Sequence, residues 1–100
     1  ARDQPAPVPR PAPPRDPGPG ELAFASVALT DARAGFARGD YLAAQRRLAA
    51  AAERLDVLER RYPDSQPVRS IQKQVAALRV DVQTACEADA HIRNVEAECT

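Results

Sequence analysis

The sequence predicts an all-α protein, a small three-helix antiparallel bundle preceded by an extended proline-rich N-terminal segment. Three observations carry this. Apolar residues recur at steps of three and four from Leu22 to Ala85, the spacing that puts side chains on one face of a helix. That period is interrupted twice by helix punctuation, Gly39-Asp40 and Pro63-Asp64-Ser65. Eight of the ten prolines fall in the first twenty residues, where a chain without amide donors and with fixed φ cannot enter a helix interior.

Residues 1–20, ARDQPAPVPRPAPPRDPGPG, form the strap of this division, and residues 21–100 form the helical domain. The strap samples polyproline II and, at about 3.1 Å per residue, reaches roughly 60 Å when extended. It is either a passive spacer or a docking strap that offers Arg2, Arg10 and Arg15 to carboxylates on a partner. Pro11 and Pro14 have the Pro-x-x-Pro spacing of polyproline ligands, a weakly specific motif.

Helix one is expected over about 21–38, with Leu22, Ala25, Leu29, Ala32 and Phe36 on one face. Gly39 then takes the left-handed conformation that ends a helix, and Asp40 accepts the free N–H groups that begin the next. Helix two, about 41–62, carries the longest stripe: Tyr41, Ala44, Leu48, Ala51, Leu55, Leu58 and Tyr62. Arg46, Arg47, Arg54, Arg60 and Arg61, interspersed with Glu53 and Glu59, occupy its solvated side. Pro63 stops it, Asp64 and Ser65 offer a new N-cap, and Pro67 falls in a first turn, where a missing donor costs little. Helix three, about 65–88, follows on Val68, Ile71, Val75, Leu78, Val82 and Ala85, and its stripe falters at Asp89. The tail 89–100 either continues the helix or turns back.

The two cysteines bear on that choice. Cys86 and Cys99 lie thirteen residues apart, so a continuous helix would hold them roughly 20 Å from each other, far beyond the reach of about 7 Å that a disulfide permits. A bridge requires a break between them, and it would stabilise by about 3 kcal/mol for a loop of this size. A pair of cysteines in a small domain fits an exported protein. The chain opens on Ala1 rather than methionine, as a mature chain does after signal-peptide removal, or as a trimmed boundary of a cytosolic protein would. No run of eighteen apolar residues remains to span a membrane.

Fourteen positive and fourteen negative side chains cancel, so no global field draws the chain to nucleic acid or an anionic membrane. The charges are unevenly placed, with seven arginines against four acids from Arg33 to Arg61, and five acids against Arg93 from Asp81 to Thr100. These halves complement either each other or a partner. Four aromatics and no methionine leave leucine, valine and alanine to do the packing.

The run ARAGFARGDYLAAQRRLAAAAERL resembles a tetratricopeptide hairpin, with Ala32, Gly35, Gly39, Tyr41, Ala44, Leu48 and Ala51 at the small and apolar positions of that pattern. RRYPDS, residues 60–65, is similar to the helix-ending segment of tetratricopeptide proteins of bacterial envelopes. The match covers residues 32–65; helix two is about two turns longer than a repeat normally allows, and no second full hairpin follows. The resemblance implies a binding module and brings no catalytic residues with it.

Few residues carry chemistry. Arg38-Gly39-Asp40 spells an integrin-binding tripeptide, which a glycine stop and an aspartate cap already explain. Cys86, Glu87, His91 and Cys99 match no standard zinc spacing. No Ser-His-Asp set, phosphate loop or carboxylate pair can be assembled, so no enzymatic activity, cofactor or metal is expected. The expected function is a non-catalytic adaptor or accessory subunit on the periplasmic face of a membrane-associated assembly, whether secretory, respiratory, photosynthetic or wall-building. Its partner-binding residues are expected among Arg2, Arg10, Arg15, Arg46, Arg47, Arg54 and Arg61. Two alternatives stand beside it: a homo-oligomer whose helix-two and helix-three stripes pack between chains as a coiled coil, and a small metal or redox carrier.

Overall fold

The computed structural model describes residues 14–93 and Cys99. It contains three α-helices, α1 (Pro19–Ala37), α2 (Tyr41–Arg61) and α3 (Gln66–Arg93). Arg2 and Arg10 lie outside the described residues, as do Asn94 to Glu98 and Thr100. α2 packs against both neighbours, while α1 and α3 meet along a shorter stretch.

Each turn forms for a local reason. Gly39 adopts φ 78°, and its N–H donates to the Phe36 carbonyl at 3.0 Å while the Asp40 N–H donates to Gly35 at 2.8 Å. The side chain of Asp40 then accepts the Ala43 N–H at 3.4 Å and opens α2. A Cβ on Gly39 would meet nothing within 4 Å, so a substitution there is penalised by the backbone alone. Gly39→Val is expected to destabilise the protein by more than about 1 kcal/mol, with Gly39→Asn costing less. Equal melting temperatures for wild type and Gly39→Val would contradict this assignment. At the second turn Ser65 is buried, and its hydroxyl accepts the Val68 N–H at 3.3 Å. Pro67 follows as the second residue of α3, where no intrahelical donor is lost.

The stripes meet in one core. Ala25, Leu29 and Ala32 of α1, Ala44, Leu48, Ala51, Leu55 and Leu58 of α2, and Val68, Val75, Leu78 and Val82 of α3 are all buried. Leu22, Phe36, Tyr41, Tyr62 and Ile71 close its margins half-exposed. Small residues on α1 let α2 approach closely; at Gly35 the Asp40 carbonyl oxygen would stand 3.4 Å from an added Cβ.

Two boundaries differ from the sequence reading. α1 begins at Pro19, inside the segment assigned to the strap, because proline at a first helical position loses no hydrogen bond and its φ is already helical. Pro17, just before it, is buried, so the folded region begins ahead of residue 21. α3 runs five residues beyond Ala88, past Asp89 where its stripe falters, so of the two courses open to the tail its first residues continue the helix. There Asp89 pairs with Arg93 one turn on, at 3.0 Å, and Ala90 is buried.

Tyrosines fasten both ends of the α1–α2 pair. Near the turn the Phe36 and Tyr41 rings pack 6.1 Å apart at 54°. At the open end the Tyr62 hydroxyl donates to the Glu21 carboxylate at 2.8 Å, and Arg61 approaches the same carboxylate at 3.6 Å. The hydrogen bond to Glu21 raises the Tyr62 phenol above its ordinary value, with desolvation and the Glu21 charge acting in the same direction and Arg61 opposing them. A raised phenol stabilises the fold fully below the unfolded value of about 10 and loses that contribution as pH climbs through the folded one. Urea midpoints between about pH 9 and about pH 11 should therefore fall less steeply for Tyr62→Phe than for wild type. Parallel profiles would contradict this role.

Candidate functional site

The grooves beside α2 are the features of this bundle that remain after its core is accounted for. On the α3 side, Leu42, Gln45, Arg46 and Ala49 of α2 face Arg79 and Gln83 of α3, with Cys99 closing one end, around about 340 Å³. Cys86 and Cys99 form a disulfide with their Cα atoms 5.9 Å apart, which returns the chain beyond α3 to the α2–α3 seam. Cys99 is buried.

A directed chain of hydrogen bonds crosses the groove floor. The Glu87 carboxylate, as an acceptor, takes a bond from Gln83 Nε2 at 2.7 Å, so Gln83 turns its carbonyl oxygen toward α2. Gln45 Nε2 donates to that oxygen at 2.8 Å and to the Cys99 carbonyl, also at 2.8 Å. Both donors of Gln45 are thereby used, and its Oε1 is left buried without a hydrogen-bond partner among the described residues. A buried acceptor with no donor costs about 1–3 kcal/mol. Gln45 lines the same groove as Arg46 and Arg79, whose side chains are exposed, while its Oε1 is itself closed to solvent.

No family model matches the chain, and comparison with curated proteins and with solved structures finds no match.

On the opposite side of α2, two shallow depressions share Phe24 and Ala50 and run together along the α1–α2 seam. Phe24 and Val27 project from α1 at 54% and 59% exposure, beside the half-buried Val57 of α2. Asp31 and Arg47 border one end of this face, and Glu53 and Arg54 border the other.

The arginines singled out from the sequence are thus dispersed. Arg46 lines the α2–α3 groove, Arg47 and Arg54 line the α1–α2 face, Arg61 is paired to Glu21, and Arg15 is exposed ahead of α1. Gly39 and Asp40 form the turn. Among the described residues no group of three histidine, cysteine or acidic side chains converges to hold a metal, and the two ion pairs found, Arg61–Glu21 and Arg93–Asp89, do not join the basic stretch of α2 to the acidic end of α3. Leu48, Leu55, Val75 and Val82, on which a coiled coil between chains would rely, are buried within one chain. No helix among the described residues is long and apolar enough to cross a membrane.

The sequence reading missed Gln45, Gln83 and Arg79. Isolated glutamines on a helix carry no pattern, and the role of Gln45 follows from where the disulfide sets the Cys99 carbonyl. Phe24 and Val27 did leave a trace. They sit off the stripe, in nine consecutive uncharged residues from Leu22 to Thr30.

Proposed function

We propose that this chain is a non-catalytic adaptor or accessory subunit that works outside the cytoplasm and holds an acidic peptide segment of a larger membrane-associated assembly in its α2–α3 groove. The observation that carries the reading is the groove itself, where the exposed Arg46 and Arg79 share the lining with Gln45, whose Oε1 is buried without a partner among the described residues. The side-chain carboxylates of an acidic peptide suit the two guanidinium groups, and a turn of the Gln45 side chain would bring its Oε1 to a peptide N–H. The resemblance of residues 32–65 to a tetratricopeptide hairpin agrees with a binding role. The bonded cysteine pair supports an oxidising, extracytoplasmic setting such as the periplasm.

The strap belongs to the same proposal. A chain biased to polyproline II loses less entropy on docking than a flexible one, and Arg2 and Arg10 give it charges with which to fix its path. Removing residues 1–13 should leave the stability of the bundle within about 0.5 kcal/mol, since those residues precede the buried Pro17 and the core. The same truncation should weaken incorporation into the native assembly tenfold or more, equivalent to about 1.4 kcal/mol. Mild purification of the native protein, with identification of accompanying subunits, tests the adaptor role. Recovery of the protein free of any stoichiometric partner would contradict it, and equal incorporation of the truncated chain would reduce the strap to a spacer.

A further inference from the structure

The α1–α2 face is separate from the peptide groove, and its chemistry differs. α1 is apolar on its outward side as well as its inward one: Ala23, Phe24 and Val27 are exposed within the uncharged run from Leu22 to Thr30. Large apolar side chains clustered on the exposed side of a helix ordinarily mark an interface. We propose that a second copy of this chain covers this face, docked about a two-fold axis that passes near Phe24, Val27 and Ala50 and sets the two α1 helices antiparallel.

Charge placement selects this occupant. The face carries one acid and one base at each end, Asp31 with Arg47 and Glu53 with Arg54, and none of the four belongs to an ion pair among the described residues. A two-fold rotation about the middle lays one end over the other. Asp31 then faces the partner's Arg54 and Arg47 faces the partner's Glu53, and symmetry makes each pair twice. The apolar centre is complementary to itself in the same way, with Val27 meeting the partner's Val27 and Ala50 meeting the partner's Ala50. Such reciprocity is the signature of an isologous interface.

The chain's own strap is a poorer fit. Polyproline segments dock in grooves lined by aromatics, and Phe24 is the one aromatic on this face. Residues 1–13 bring only Val8 as a large aliphatic side chain to set against it. A dimer would present two peptide grooves, so an adaptor built this way binds its assembly bivalently.

Sedimentation equilibrium of the full chain tests the proposal. A dimer with a dissociation constant of roughly 10 μM or tighter is expected, and Phe24→Ser or Val27→Ser should weaken it tenfold or more while leaving the helical circular dichroism unchanged. The charges give a second, independent test on the exposed surface. Arg47→Glu should weaken the dimer, and Glu53→Arg added to the same chain should restore it by recreating the pair with opposite signs. A full chain that is monomeric throughout the micromolar range overturns the proposal. So does a dimer indifferent to Phe24→Ser, or failure of the second reversal to rescue the first. If the full chain is monomeric and the chain lacking residues 1–13 dimerises, the strap covers this face, and the assignment to a second copy is overturned in its favour.

Discussion

Replacing Leu55 by alanine is expected to lower stability by about 2–5 kcal/mol, the loss that truncating a fully buried leucine brings. Leu55 sits on α2, the helix that contacts both others, and is 1% exposed among buried neighbours. Truncation removes the transfer free energy of the lost methyl groups and leaves a cavity that rigid helices fill only in part. Leu48, which is 0% exposed, should behave alike. In a domain this small such a loss lowers Tm by on the order of 10 °C or more. Chemical unfolding of the two alanine variants checks this, and near-zero losses for both would mean that the stripe does not form the core.

The second large effect belongs to the disulfide. Cys99→Ser should cost about 3 kcal/mol, because the unfolded chain regains the freedom of the loop between residues 86 and 99. The loss has a local component. Without the bridge nothing covalent holds the Cys99 carbonyl against Gln45 Nε2, and the last turns of α3 lose their tie to α2. Amide exchange near residues 86–93 should therefore quicken in the variant before exchange near Leu55 does. Urea unfolding of wild type and Cys99→Ser measures the global term. A difference below about 0.5 kcal/mol would show that the bridge contributes little to the fold.

Much of this architecture was legible in the sequence because its signals are local. A stop glycine, a capping aspartate, a capping serine and an unbroken three-four stripe each act within a few residues, and each lies where it was expected. Two ends differ for local reasons. Pro19 belongs by composition to the proline-rich segment although the first helical position tolerates it, and beyond Asp89, where the stripe falters and the sequence leaves two courses open, the Asp89–Arg93 pair carries α3 on. The spacing of Cys86 and Cys99 required the chain to break between them if they bonded, and they do bond, with α3 ending at Arg93.

The candidate sites were less legible because they are tertiary. Arg46 and Arg47 are sequence neighbours that looked like one basic surface, yet a rotation of about 100° per residue sends them to opposite grooves. Gln45 gains its significance only when Gln83, Glu87 and the Cys99 carbonyl have fixed which way its amide faces. The partnership of Tyr62 with Glu21 spans both helices of the hairpin and has no sequence pattern at all.

The adaptor account rests on the α2–α3 groove, and the affinity of the purified native assembly for charge-reversed protein tests it most directly. Arg46 and Arg79 are exposed, so Arg46→Glu with Arg79→Glu should leave thermal stability nearly unchanged. The account predicts that the double variant binds the assembly at least tenfold more weakly than wild type, while Arg38→Glu at the exposed hairpin turn binds normally. Undiminished binding by the double variant, or an equal loss in Arg38→Glu, would contradict it.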